Sequence, residues 1–309
     1  MPLRYEKLPR ELLFPTSGRR RRIFLAGKGG VGKTTVACTT ALFLAEQGVK
    51  TLLVTTDPAA HTGQLFGVSV TSTPTRYGNS DLWLVRIDPK AAFVHYKEQV
   101  LASVAEQFGG TGTIARVSEE LNSPCTEEVA VFQEFLDYVL QDEFSITVFD
   151  TAPTGHTIRL LQLSFGYEAD LERKEAFTAE TAALDEIQLA RMQAAIATLQ
   201  DPVETGLFFV TLPEATPIAE MERAMADLSR TRIPTQAIVV NQVLPPEAQS
   251  SRLFGKRLEV QRKHIENLRE RHPELVIAIA ALQDDEVIGG PRMEHFASQM
   301  IGLEVNEPR

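Results

Sequence analysis

The stretch Gly27-Lys28-Gly29-Gly30-Val31-Gly32-Lys33-Thr34-Thr35 constrains this chain more than any other. It is a full match to G-x-x-x-x-G-K-[ST] and lies between an apolar run, Arg22–Ala26, and a segment of helical spacing, Thr34–Glu46. Strand, glycine-rich turn and helix in that order make a cradle for phosphate. The glycines let backbone N–H groups fold around the anion, and the helix N-terminus adds positive potential. Lys33 then reaches the β- and γ-phosphates, and Thr34 offers its hydroxyl to magnesium.

The remaining pattern is that of a parallel sheet covered on both faces. Short apolar runs at Thr51–Thr55, Leu82–Ile87, Ser145–Asp150, Leu207–Thr211, Thr235–Asn241 and Val276–Ala280 read as strands, several of them too apolar to be half exposed. Between them Thr216–Arg230 and Glu247–Arg271 carry helical spacing, with Gly48 and Pro273 as terminators. Two segments exceed an ordinary crossover: Pro89–Asp142, broken by Gly109–Gly112, and Leu163–Gln200. The fold expected is therefore α/β, a doubly wound, mainly parallel sheet flanked by helices. It forms one P-loop NTPase domain over 1–309, with helical insertions at about 89–142 and 163–200.

Composition excludes other classes. Over 309 residues, 43% hydrophobic and 23% charged rule against disorder, collagen and coiled coil. A formal net charge of −10 argues against nucleic acid as a partner, since phosphate backbones demand a basic face. The run Arg19 to Arg22 is the local exception; it reads as a solvated flank before the first strand rather than a contact for an acidic surface. The two cysteines, Cys38 and Cys125, lie far apart without a C-x-x-C, which fits a reducing cytosol better than a disulfide. No stretch approaches the roughly 18 apolar residues of a membrane span, and Met1–Arg10 has no signal-peptide core. The expected location is cytoplasmic, with any place at the inner face of a membrane reached through a partner.

Two further loops carry carboxylates. The second strand ends in Thr55-Thr56-Asp57-Pro58-Ala59-Ala60-His61 and the fourth in Phe149-Asp150-Thr151-Ala152-Pro153-Thr154-Gly155-His156-Thr157. Loops at the carboxyl ends of such strands face the ligand crevice. Asp150 fits the acid that supports magnesium, and Asp57 is the candidate to orient or deprotonate an attacking water. Asp57 also reads as a helix cap or turn residue before Pro58.

Taken together, Gly27–Thr35, Asp57–His61 and Asp150–Leu161, in this order and spacing, resemble the family shared by arsenite pump-driving ATPases and the ATPases that target tail-anchored membrane proteins. The resemblance implies ATP hydrolysis with magnesium held by Thr34, Asp57 and Asp150, a nucleotide sandwiched in a homodimer, and Asp57 as the catalytic acid. Lys28 is similar to the signature lysine of deviant Walker A ATPases, which crosses the interface to the facing nucleotide, so Lys28 joins Lys33 and Asp57 in the implied catalytic set. Asn241, in Val239-Val240-Asn241-Gln242, stands where family members read adenine; it also reads as a turn residue closing the strand.

The block Leu121-Asn122-Ser123-Pro124-Cys125-Thr126-Glu127-Glu128-Val129-Ala130-Val131-Phe132 is similar to one in the pump branch. It implies that Cys125, Ser123 and His156 line a site for arsenite or antimonite, thiophilic species for which a thiolate dominates affinity. A buried core cysteine is the other reading of Cys125. Implied partners are a membrane efflux carrier and a metalloid chaperone. The zinc C-x-x-C and methionine-bearing groove of the targeting branch have no counterpart among six scattered methionines and a chain without cysteine after Cys125. An ATP-switched targeting factor is the alternative function. Cys38 reads as core, His61 as switch or surface turn, and His95, His264, His272 and His295 form no recognised ligand spacing.

Overall fold

The computed structural model describes residues 6–56, 61–108, 117–119, 121–122, 124–150 and 179–302. Among the described residues eight strands form one sheet: β1 (Arg21–Ala26), β2 (Thr51–Thr55), β3 (Thr75–Arg76), β4 (Leu82–Arg86), β5 (Ile146–Asp150), β6 (Thr205–Thr211), β7 (Thr235–Val243) and β8 (Val276–Ala281). Their order is β3-β4-β2-β5-β1-β6-β7-β8, and every pairing is parallel except the short β3 against β4. All seven expected strands are present, with ends within two residues of those expected. The exposed two-residue β3 carries no apolar run by which a sequence reading would find it.

Side-chain alternation divides the core between two faces. Phe24, Ala26, Leu52, Val54, Phe149, Phe209 and Val240 point one way. There they meet α5 (Pro124–Leu140), α6 (Ala179–Gln200), α7 (Ala215–Leu228) and α8 (Arg252–Arg271). Ile23, Leu25, Leu53, Val148, Phe208, Val210 and Val239 point the other way. Those pack on α2 (Lys33–Glu46) and α9 (Gly290–Met300), with Leu13 of α1 (Arg10–Leu13) and Phe66 of α3 (His61–Phe66) at the margins. Helices on both faces of a mainly parallel sheet are the doubly wound arrangement expected. α2 is buried without a break from Val36 to Ala45. A helix apolar all round must be covered on every side. Gly48, at φ +77°, closes α2 as anticipated, its N–H donating to Ala45 O at 3.0 Å. Pro273 follows the end of α8, likewise as expected.

Two expectations need correcting. Glu247 does not begin the long helix: a 3-10 turn occupies Pro246–Ser250, and α8 starts at Arg252, where the Ser251 hydroxyl accepts from Phe254 N at 3.3 Å. Nor is Arg19 to Arg22 a solvated flank throughout: Arg19 and Arg20 precede the strand with their side chains 44% and 42% exposed, as expected, but the other two are not. Arg21 and Arg22 belong to β1 and are 2% and 4% exposed. Arg21 donates to the carbonyls of Leu12, Pro202 and Val203 and to the Gln236 amide oxygen, while Arg22 pairs with Glu204 at 2.9 Å and donates to Val139 O at 2.5 Å. Burial pulls the Arg21 guanidinium down to about 10, and Asp201 opposes that shift; burial lowers Arg22 in the same way. The arginines tie together backbone ends at the amino edge of the sheet, which sequence spacing does not reveal.

In the first insertion α4 (Pro89–Phe108) precedes α5, and the second insertion contains α6. Residues 109–116 and 163–178 lie outside the described part. Among the described residues no helix is long and apolar enough to cross a membrane.

Candidate functional site

β1 lies between β5 and β6, yet the chain leaving β1 passes through α2 to β2, on the far side of β5. Connections thus diverge from neighbouring central strands, and a crevice opens at their carboxyl ends. The phosphate loop fills it. Gly27 sits so close to the strand beside it that a Cβ there would lie 2.5 Å from Val210 O. Gly32, the N-cap of α2, holds φ +86°, and a Cβ at that position would run into the Asn241 amide. Both close approaches require glycine.

Register places Asp150 level with Leu25 of β1 and Thr55 of β2. Its carboxylate is fully buried, with Lys33 Nζ 3.7 Å from Oδ1 and the Thr55 hydroxyl donating to Oδ2 at 3.4 Å. Lys33 is itself 11% exposed, so an ammonium and a carboxylate face each other at the base of the loop. Lys33 is also the first residue of α2, whose first turn holds no acid. A cation at the positive end of a helix dipole opposes local preference, the kind of conflict that marks an anion site. Thr34 follows in the same turn. The Asp150 carboxylate and the Thr34 hydroxyl are both hard oxygen donors, the kind that magnesium takes.

Asn241 closes this arrangement from β7. It is 5% exposed; its Nδ2 donates to Val31 O at 2.9 Å, and its Oδ1 accepts from Gln242 N at 2.9 Å. Gln242 takes φ +57° there. One amide hydrogen and one oxygen lone pair remain for a further partner. Lys28 points elsewhere, to an ion pair with Glu220 of α7. Cys38 is fully buried in the core, as expected; burial first, and then the Asp150 charge, push its thiol well above the usual range. His61 opens α3 on the surface. Asp57, Ser123 and His156 lie outside the described residues, and Cys125 falls in the first turn of α5.

The loop, its buried acid and the sheet order can be set beside known proteins. The family model described as "Anion-transporting ATPase" matches residues 20–302. The chain belongs to the anion-transporting ATPase family. It is 38% identical over 297 residues to a putative arsenical pump-driving ATPase of Halobacterium salinarum, covering 92% of this chain and 45% of that protein. With an arsenical pump-driving ATPase of Escherichia coli it shares 33% identity over 263 residues, 85% of this chain and 42% of that one. With the ATPase asna-1 of Caenorhabditis elegans identity is 30% over 326 residues, 92% of this chain and 94% of the relative. This member of the anion-transporting ATPase family thus spans less than half the length of the two pump-driving relatives.

Three contacts around the loop escape a sequence reading: Thr55 on Asp150, Asn241 on the Val31 carbonyl, and Glu220 on Lys28. Glu220 stands 192 residues from Lys28, and nothing local to either marks the pair.

Proposed function

We propose that this anion-transporting ATPase hydrolyses ATP with magnesium and couples that hydrolysis to arsenite or antimonite, as the catalytic subunit of an efflux pump. The observation that carries the reading is the phosphate loop with Lys33 and the buried Asp150 at its base. The backbone N–H groups of Gly29 to Thr34 and the α2 terminus bind the β- and γ-phosphates, and Lys33 exchanges its Asp150 contact for phosphate oxygen. Thr34, Asp150 and Asp57 would hold magnesium, which neutralises charge developing on the phosphates. Asp57 orients the attacking water and accepts its proton, and Asn241 offers its remaining donor and acceptor to the adenine edge.

Similarity to two pump-driving ATPases supports the metalloid part. Cys125 supplies the thiolate, and Ser123 and His156 complete the site. Because the chain spans less than half of those relatives, two copies joined as a nucleotide-bound homodimer would restore two sites. In this reading Lys28 reaches the partner copy's nucleotide. The protein acts in the cytoplasm, at the inner face of the membrane through an efflux carrier, and receives metalloid from a chaperone.

Steady-state hydrolysis by the purified chain, with and without antimonite, tests both parts. Antimonite should raise the rate, Cys125→Ser should abolish only that rise, and Asp57→Asn and Lys33→Ala should each remove hydrolysis. No phosphate release by the native chain under any condition would sink the reading. Hydrolysis indifferent to metalloid would favour the family's other role, targeting of tail-anchored membrane proteins. The match along 94% of the ATPase asna-1 shows only that a single copy of this fold accounts for nearly that whole relative.

A further inference from the structure

The phosphate loop carries two lysines that face different anions. Lys33 lies over Asp150 at the base, while Lys28 extends outward onto Glu220 in the second turn of α7. α7 follows β6, the neighbour of β1, so this ion pair bridges the loop to the adjacent unit of the sheet. The helix has no packing need for Glu220: its buried face is Ile218, Met221, Ala224 and Leu228. The pair is also easy to break. Lys28 is 59% exposed, it stands between two glycines, and a Cβ on Gly29 would meet nothing within 4 Å, so the side chain has room to swing.

We propose that Glu220 is a positioning residue whose pair with Lys28 forms an intrachain latch. It holds Lys28 back from the nucleotide of the facing copy until the phosphates of that nucleotide displace it. The inference rests on the nucleotide reading above. Carboxylate and triphosphate compete for one ammonium, and the triphosphate, with more charge and more acceptor oxygens, wins once seated. Every binding event therefore breaks the pair and frees α7 from the loop, which lowers apparent affinity and links occupancy of the loop to the position of α7.

Titration of the whole chain with a non-hydrolysable ATP analogue and magnesium reads the latch. Glu220→Gln should tighten binding about two- to five-fold, the range of an exposed ion pair, and Glu220→Asp, which keeps the charge, should stay near the native value. The gain should vanish when Lys28→Gln is already present. A second readout needs no nucleotide: an ion-paired ammonium must leave its carboxylate before it reacts, so labelling of Lys28 by an amine reagent, followed by peptide mass, should speed up in Glu220→Gln. Unchanged affinity and unchanged labelling in Glu220→Gln overturn the latch alone. A gain of equal size in the Lys28→Gln background does so too, because it means that Glu220 only repels phosphate. A native chain that binds no analogue overturns the nucleotide reading and the latch together.

Discussion

At the scale of single residues, the loop is held by contacts that its motif does not mention. The pattern calls for glycine at Gly32, and the reason is twofold: a left-handed φ, and an amide from another strand in the space a side chain would take. Asn241 is bound to the loop backbone through Val31 O, so a change at either residue is felt by the other. Gly32→Ala adds about 1–2 kcal/mol of backbone strain and drives a methyl group into Asn241. Affinity for the ATP analogue, read by titration, should fall about five- to thirtyfold, because the free loop sheds that strain and must take it up again to close on phosphate; native affinity in this variant would overturn the need for glycine there. Gly27 to Thr35 were legible because a phosphate cradle is built from consecutive residues. Asn241 was legible only through family resemblance, and its contact with Val31 was not, since the two are brought together by strand order.

Among the elements, strands and long helices follow from their periods, and the discrepancies arise where an element's neighbours decide. Arg19 to Arg22 look like solvent-facing charge in any local reading. In the fold, parallel strands end beside one another, and the amino edge of the sheet exposes carbonyls of residues 139, 202 and 203 that the guanidinium groups satisfy. Truncating Arg22 leaves Glu204 and the Val139 carbonyl without that donor. Arg22→Met should therefore lower stability by about 2 kcal/mol in urea unfolding, less than for a fully buried pair because Glu204 is partly exposed. Arg19→Ala, whose pairs with Asp201 and Glu204 lie in solvent, should cost under about 1 kcal/mol. Equal losses in the two would mean that burial of the strand arginine carries no weight. α9 went unread for another reason. It opens with Gly290-Pro291, a turn signal, although Met293, Phe296, Ala297 and Met300 then form its buried stripe.

The whole molecule stores protons between elements that sequence does not bring together. Glu134 of α5 is raised to about 7 by burial first and then by the Asp88 charge, and Glu46 of α2 to about 7 by burial first and then by Glu294 of α9. Both folded values exceed the ordinary 4.5, so between the two the folded chain binds protons that the unfolded chain has released. Stability is thus fullest below about pH 4.5 as far as these groups are concerned, and is lost as pH rises through about 7. Glu134→Gln keeps the neutral form. It should flatten its share of the decline in urea-unfolding free energy between pH 5 and pH 8, a share of about 1 kcal/mol after screening of a half-buried group. An unaltered slope would sink the assignment. The sequence by itself determined what is local: the strand–loop–helix that binds phosphate, the alternation that demands a doubly wound sheet, and the acid at the end of the fifth strand. Only the tertiary structure decided the sheet order, the burial of Arg21 and Arg22, the clamp of Asn241 on Val31 and the hold of Glu220 on Lys28. Period and glycine placement act over a few residues, whereas Arg22 with Val139, Asn241 with Val31 and Lys28 with Glu220 join positions more than a hundred apart and meet only once the strands have taken their neighbours.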